Sequence, residues 1–198
     1  MENKQFIPEE YEQEKYVLNM LWFTIFSLIV LIVLIFSAII FGIPFYNIWN
    51  INNNENIFPI IINANHRIVF LIICILGIFI HEMIHGFFWG IFIKKKFNGI
   101  KIYFHKKYYT FVCECKNVLS KKQFIIGTIM PLIILGFIPL IISFVFLNRP
   151  IFVFGILYIA AAGGDILITF KLLKNKNIKW IKSSDDGILL MYKIKNDL

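Results

Sequence analysis

Three ionisable residues within one helical turn are the clearest chemical signal in the sequence: His81, Glu82 and His85. Residues four apart lie on the same face of a helix, so the two histidines can bind one metal ion together. Glu82 stands about 100° round the helix from His81, close enough to act as general base towards a water molecule beside the metal. This spacing is typical of zinc-dependent hydrolases, in which the metal activates water.

A chance origin of this motif is expected only roughly three times in a thousand chains of this composition. The alternative interpretation is that the histidines are ordinary core residues with satisfied hydrogen bonds. However, the motif lies inside the apolar run Ile68–Ile93. Ionisable groups are costly in such a helix and usually functional there. We therefore favour a metal site.

The composition excludes an ordinary soluble globular domain, since 59% of the residues are hydrophobic and only 16% are charged. Four apolar runs are long enough to cross a bilayer: Leu21–Gly42, Ile68–Ile93, Phe124–Leu147 and Ile151–Phe170. The sequence therefore predicts an all-α integral membrane protein with about four transmembrane helices, forming a single domain over residues 1–198. We expect residues 1–19 to form an interfacial or frayed segment and the lysine-rich tail to form a small cytoplasmic appendage.

The distribution of the +8 net charge indicates a membrane topology rather than nucleic-acid binding. Lys and Arg number two before the first run, one in 43–67, nine in 94–123, one in 148–150 and seven after residue 170. The segments on one side of the membrane therefore carry eighteen Lys and Arg residues, and those on the other side carry two. This is the positive-inside pattern, and it places both termini in the cytoplasm. We expect a multi-pass protein of the cell membrane that contacts the lipid bilayer and does not bind nucleic acid.

The segment between the second and third runs has the composition of β-strands. Ile100–Phe104 and Tyr108–Cys113 are rich in β-branched and aromatic residues, which predicts a short cytoplasmic β-hairpin. Its edge could hold an extended substrate, or the hairpin could simply lie on the bilayer surface. Cys113 and Cys115 could form a zinc site with His105, but we favour two reduced thiols on one strand face.

Asp165 is the predicted third metal ligand. Apart from it, the four apolar runs contain only the ionisable residues of the motif. His81 and Asp165 both lie about 20 Å below the outer surface if each run is a helix that rises 1.5 Å per residue. A buried aspartate is costly unless it is paired or bound to a metal. The rival ligands, Asp185 and Asp186, lie in a hydrophilic segment.

Pro131 lies at a similar depth in the third run. Proline has no backbone N–H, so it frees the carbonyl four residues back and kinks the helix. Such kinks often line a cavity. The alternative is a proline that is merely tolerated by packing.

At these residues the sequence resembles the putative zincin peptidase family of small bacterial membrane proteins, over about residues 66–192. It is more distantly similar to the site-two intramembrane zinc proteases. The resemblance is carried by the run His81–Gly86, by Cys115-Lys116 with Leu119–Phe124, by Pro131 and by Gly164-Asp165. It implies Zn2+ bound by His81, His85 and Asp165, with Glu82 as the catalytic base. Ile166 and Met130 depart from the site-two pattern, which has glycine and asparagine at these places.

Together these features predict a membrane-embedded zinc metalloprotease, an endopeptidase of the HExxH type. Its substrate would be a membrane-associated peptide or protein that is hydrolysed near the cytoplasmic leaflet. The alternatives are a non-catalytic membrane protein with a structural metal site and a small transporter subunit. A transporter would be expected to show an internal repeat or further polar residues within its spans, and the sequence shows neither.

Overall fold

The computed structural model describes residues 11–17, 25–33, 64–93, 97–106, 110–146, 148–184 and 187–193. Their helices are α1 (Ala64–Ile91), α2 (Lys121–Pro131), α3 (Ile138–Val145), α4 (Arg149–Ala161) and α5 (Gly163–Lys174). Their strands are β1 (Tyr11–Val17), β2 (Ile100–His105), β3 (Thr110–Cys115), β4 (Leu119–Ser120), β5 (Ile178–Ser184) and β6 (Gly187–Lys193). Residues 25–33 are also helical, and the remainder of the predicted first span lies outside the described residues.

The prediction of an all-α protein with about four transmembrane helices is wrong. The structure contains a four-stranded antiparallel sheet in the order β1-β6-β5-β4 and a separate two-stranded sheet formed by β2 and β3. Within the described ranges, Ile68–Ile91 and Lys121–Val145 are long and apolar enough to cross a membrane. The predicted fourth span is two helices, Pro150–Ala161 and Gly163–Lys174, bent by 47°, and it counts as a third span only if the pair crosses together.

The break between α4 and α5 falls at residues that favour helix poorly. Ala162 is the C-cap of α4, and α5 begins with Gly163 and Gly164. Glycine costs roughly 1 kcal/mol relative to alanine in a helix interior, so two in succession weaken a continuous span. Hydropathy alone joined the two helices because both are apolar.

The chain divides into two compact units. The first contains Met1–Met20, His81–Met130 and Asp165–Leu198, and the second contains Leu21–Ile80 and Pro131–Gly164. The prediction of a single domain stays a prediction. The core of the first unit combines buried residues of α1, β3, β4, α2, α5, β5 and β6 with Ile93, which follows α1: Trp89, Cys113, Cys115, Leu119, Phe124, Leu172, Ile178, Ile181, Ile188 and Leu190.

Strand β1, near the start of the sequence, pairs with strand β6, near its end, inside the first unit. β1 and β6 run antiparallel, from Tyr11 opposite Lys193 to Val17 opposite Gly187. The N-terminal residues predicted to be an interfacial or frayed segment therefore include a strand, and the predicted appendage supplies β5 and β6. These segments were misjudged because β1 carries three charged residues among seven, so no apolar pattern marks it.

The hairpin of β2 and β3 occupies the segment where strands were expected. Ile100 lies opposite Cys115 and His105 lies opposite Thr110. The described part of the second strand begins at Thr110, and the first two residues of the run that starts at Tyr108 lie outside the described residues.

The second unit is held by close backbone approach between helices. A side chain at Gly155 would meet the carbonyl oxygen of Gly136 and the backbone nitrogen of Leu140, each at 3.0 Å. Small residues at such positions are typical of helix packing in membranes. The Tyr158 hydroxyl donates a hydrogen bond to the carbonyl oxygen of Cys74 at 2.6 Å, which ties α4 to α1.

Candidate metal centre

Helices α1 and α5 bring three of the predicted site residues together. His81 Nε2 lies 3.1 Å from Asp165 Oδ2 and 3.2 Å from His85 Nε2, and His85 Nε2 lies 3.5 Å from Asp165 Oδ1. Among the residues that the structure describes, these three are the group of His, Cys, Asp or Glu side chains able to hold a metal ion. The histidines are one helical turn apart on α1, and the aspartate comes from the first turn of α5.

The three donor atoms have the spacing that zinc requires. Zinc binds nitrogen and oxygen ligands tetrahedrally at roughly 2.0–2.1 Å, which puts neighbouring donor atoms about 3.3 Å apart. The three distances of 3.1, 3.2 and 3.5 Å lie on either side of that value. The lone pairs of the three donors converge: the two imidazole Nε2 atoms face each other, and the Asp165 carboxylate lies beside both. The site therefore fits a zinc ion with one further coordination position open.

His85 is held in the tautomer that a metal ligand needs. Its Nδ1 lies 2.9 Å from the carbonyl oxygen of Gly127 on α2. A carbonyl oxygen can only accept a hydrogen bond, so Nδ1 carries the proton and Nε2 keeps its lone pair for the metal. The His85 side chain is almost fully buried, which restricts its ring further.

Trp89 is a site residue that the sequence analysis missed. Its indole ring stacks on His85 at 5.2 Å between ring centroids and on Phe124 at 5.0 Å. Its Nε1–H donates to the carbonyl oxygen of Phe124 at 3.1 Å. Trp89 fixes the plane of His85 and joins α1 to α2. The signal was available, because Trp89 follows His85 by four residues and so shares its helix face.

Glu82 contacts the hairpin rather than the three candidate ligands. Its Oε2 accepts a hydrogen bond from the backbone N–H of Cys113 at 2.6 Å. The hairpin can approach α1 this closely because residue 86 is glycine. A side chain at Gly86 would meet Ile100 at 2.9 Å and the Cys113 sulfur at 3.1 Å. The candidate base therefore links the turn of α1 that carries both histidines to strand β3.

The edge of β3 on the side away from β2 carries the N–H that binds Glu82. Cys113 lies opposite Ile102 but donates its N–H to Glu82, so its backbone groups are directed away from β2. Backbone groups alternate along an antiparallel strand, so Phe111 has the same orientation. The opposite set faces β2, as shown by the Lys116 N–H, which donates to the Gly99 carbonyl at 2.8 Å.

The alternative zinc site built on Cys113, Cys115 and His105 has no support in the structure. These residues do not form a metal-holding group among those described. Burial raises the pKa of the Cys113 thiol well above its usual range, and it raises that of Cys115 to about 11. Both thiols are therefore protonated at neutral pH, whereas zinc binds the thiolate. Asp185 and Asp186, the rival third ligands, lie outside the described residues.

Comparison with known proteins identifies one family. A family model described as "Putative zincin peptidase" matches residues 74–179, just over half of the chain. The matched range contains the HExxH motif, α1 from Cys74 onwards, all of α5 and the β2–β3 hairpin. No curated protein and no solved structure matches the chain.

Proposed function

The chain belongs to the putative zincin peptidase family, and we propose that it is a membrane-embedded zinc metalloprotease of the HExxH type. The observation that carries this proposal is the triangle of donor atoms from His81, His85 and Asp165, with sides of 3.1–3.5 Å. Glu82 lies on the same turn of α1 as the two histidines. A structural metal site would need no carboxylate beside an open coordination position.

In this proposal each residue has one task. His81, His85 and Asp165 hold the zinc ion, and the Gly127 carbonyl keeps the His85 ring in place. Bound zinc supplies Lewis-acid chemistry, by which it lowers the pKa of water and polarises a carbonyl group. Glu82 accepts a proton from the attacking water and later delivers it to the leaving amine. The Cys113 N–H binds one carboxylate oxygen of Glu82, which leaves the second oxygen to receive the proton.

We propose that the substrate is a membrane-associated peptide or protein, held in an extended conformation along β3. A helix hides its carbonyl groups in its own hydrogen bonds, so a substrate that leaves a membrane helix must unwind before it is cleaved. A strand edge can then bind the freed backbone groups. The edge of β3 that faces away from β2 lies beside the candidate base, since the Cys113 N–H donates to Glu82 at 2.6 Å, and this position supports the role.

A proline scan through Phe111–Cys115 is expected to include a substitution that lowers kcat/KM for such a substrate about 3–10-fold, which corresponds to one hydrogen bond of roughly 0.5–1.5 kcal/mol. Proline removes the backbone N–H that a substrate strand would pair with. The matched control at each position is alanine, which also replaces the natural side chain but keeps the N–H. If the proline and alanine variants retain zinc and cleave equally well at every position, the hairpin only lies on the bilayer and the edge-strand role is wrong.

We also propose that the protein is multi-pass, with both termini and the hairpin in the cytoplasm. Strands β1, β4, β5 and β6 form one sheet, and a bilayer cannot pass between hydrogen-bonded strands. Both ends of the chain therefore lie on one side. The eighteen-to-two distribution of Lys and Arg favours the cytoplasmic side. Labelling of a Lys106→Cys variant by a membrane-impermeant thiol reagent in intact cells would contradict this orientation; the natural chain is the background control.

Removal of zinc tests the proposed activity directly. The purified protein in lipid vesicles is expected to cleave membrane-inserted peptides that carry a fluorophore and a quencher on either side of the cleavage region. A chelator should abolish the cleavage, and stoichiometric zinc should restore it. Cleavage that persists after complete zinc removal would contradict the proposal. Bound zinc without cleavage of any peptide in the set would favour the structural-metal alternative.

A further inference from the structure

Pro131 lies at the end of α2, where it determines which hydrogen bonds the helix can make. We propose that Pro131 is a positioning residue of the metal centre: because it lacks a backbone N–H, it leaves the Gly127 carbonyl free to orient His85. This inference rests on the proposed zinc-binding function of the His81, His85 and Asp165 cluster. Metal binding would then depend on Pro131 of α2 as well as on the three ligands, which lie on α1 and α5.

Helix α2 extends from Lys121 to Pro131, and proline interrupts its hydrogen-bond pattern. In an α-helix each carbonyl accepts from the N–H four residues later. The residue four after Gly127 is Pro131, which has no N–H to donate. In its place, the Gly127 carbonyl accepts the Nδ1–H of His85 at 2.9 Å. The carbonyl that proline releases is therefore the one that binds the candidate ligand.

A proline at this position is costly unless something compensates for it. Within a helix proline is roughly 3 kcal/mol less favourable than alanine, partly because a backbone hydrogen bond is lost. The Pro131 ring is fully buried, so water does not replace the missing donor. The helix continues beyond it as a π-helical segment, Leu132–Phe137. The imidazole N–H of His85 supplies the compensating bond.

The face of α2 around Gly127 is shaped to receive α1. Trp89 donates its indole N–H to the Phe124 carbonyl, three residues before Gly127. A side chain at Gly127 would overlap the indole ring of Trp89. Two ring N–H groups, one turn apart on α1, therefore bind two carbonyls on the same face of α2. This pair of bonds sets the register in which His85 reaches Gly127.

The consequence for metal binding follows from the tautomer. With Nδ1–H donated to Gly127, the lone pair of His85 Nε2 is held towards His81 and Asp165. A backbone N–H at position 131 would compete for the same carbonyl and draw it back along the helix. Hydrogen bonds of this kind to metal-bound histidines typically contribute about 10–100-fold to metal affinity.

Zinc affinity measured by competition with a chelator tests the inference without an activity assay. Pro131→Ala is expected to bind zinc about 10–100-fold more weakly than the natural protein. The decisive comparison is between Pro131→Ala and a protein in which lactic acid replaces Pro131. Lactic acid has the alanine side chain, but an ester oxygen stands in place of the N–H. The lactic acid protein should bind zinc nearly as tightly as the natural protein. Pro139→Ala, which changes a proline in the second position of α3, should leave affinity unchanged.

The outcomes separate this inference from the proposed function. If the alanine and lactic acid proteins bind zinc equally well, the missing N–H is irrelevant and the inference is wrong, whether or not the natural protein cleaves peptides. A natural protein that binds zinc without cleaving peptides would instead contradict the proposed activity alone. If Pro131→Ala does not fold, nitrogen NMR of His85 in the natural protein still decides: a proton on Nδ1 supports the inference, and a proton on Nε2 overturns it.

Discussion

Purified His81→Ala and Asp165→Ala proteins are each expected to contain no zinc at ion concentrations that saturate the natural chain with one ion. The donor atoms of these residues lie 3.1 Å apart, and either substitution leaves a single pair of donors. If three ligands share an apparent binding free energy of about 12 kcal/mol, losing one costs about 4 kcal/mol, or about 1,000-fold in affinity. Elemental analysis after gel filtration measures the zinc content.

The matched controls for this experiment are His105→Ala and Asp185→Ala. Both remove a side chain of the same type as a proposed ligand. His105 lies outside the donor cluster, and Asp185 belongs to the hydrophilic segment that supplied the rival ligands. They should keep one zinc ion per chain. Full zinc content in His81→Ala or Asp165→Ala, or its loss in Asp185→Ala, would require a different ligand set.

Glu82→Gln is expected to lower the rate of peptide cleavage by about 100–10,000-fold, the usual contribution of a general base. Glutamine has nearly the same shape, and its amide oxygen can still accept the hydrogen bond that Glu82 receives from Cys113 at 2.6 Å. It cannot take a proton from water at neutral pH. The variant should therefore fold and bind zinc normally while losing activity, which single-turnover kinetics on a quenched membrane-inserted peptide would measure.

Glu114→Gln provides a matched control on the same hairpin. Glu114 is a buried carboxylate next to Cys113 in sequence, but it lies opposite Lys101 in β2 and is not part of the donor cluster. Its substitution should leave cleavage close to that of the natural chain. An active Glu82→Gln protein would show that another group acts as the base. Loss of zinc from that protein would show that Glu82 supports the metal rather than the chemistry.

Spacing along the sequence was enough to predict the candidate metal site. His81 and His85 lie four residues apart and share a helix face wherever the helix begins or ends, so an error in the predicted bounds of the helix does not separate them. Asp165 was selected because ionisable residues are rare in the apolar runs and because a continuous fourth helix would put it at the depth of His81. The first of these arguments does not need the fourth run to be straight. The structure bends that run before Asp165 and still places the carboxylate beside both histidines.

Contacts between distant segments were not predictable in the same way. The Gly127 carbonyl follows from Pro131 by counting four residues back, but its partner could be identified only once α1 lay against α2. In β5, a bulge between Ile178 and Trp180 interrupts the alternation. Ile178 and Ile181 are buried while Trp180 is exposed, so a strict period of two fails there. Sequence patterns report local periodicity, and these features depend on pairing across the chain.

The position of β1 at the edge of its sheet has a consequence for biosynthesis. Its sheet neighbour is β6 alone, so β1 pairs with a strand that is synthesised much later. About 170 residues separate the two strands, and at roughly 5–20 residues per second translation takes about 9–34 seconds to cover that interval. Throughout this time the partner strand of β1 has not been made. A nascent chain that stalls before Gly187 exposes this edge, which makes the incomplete protein a target for quality-control proteases.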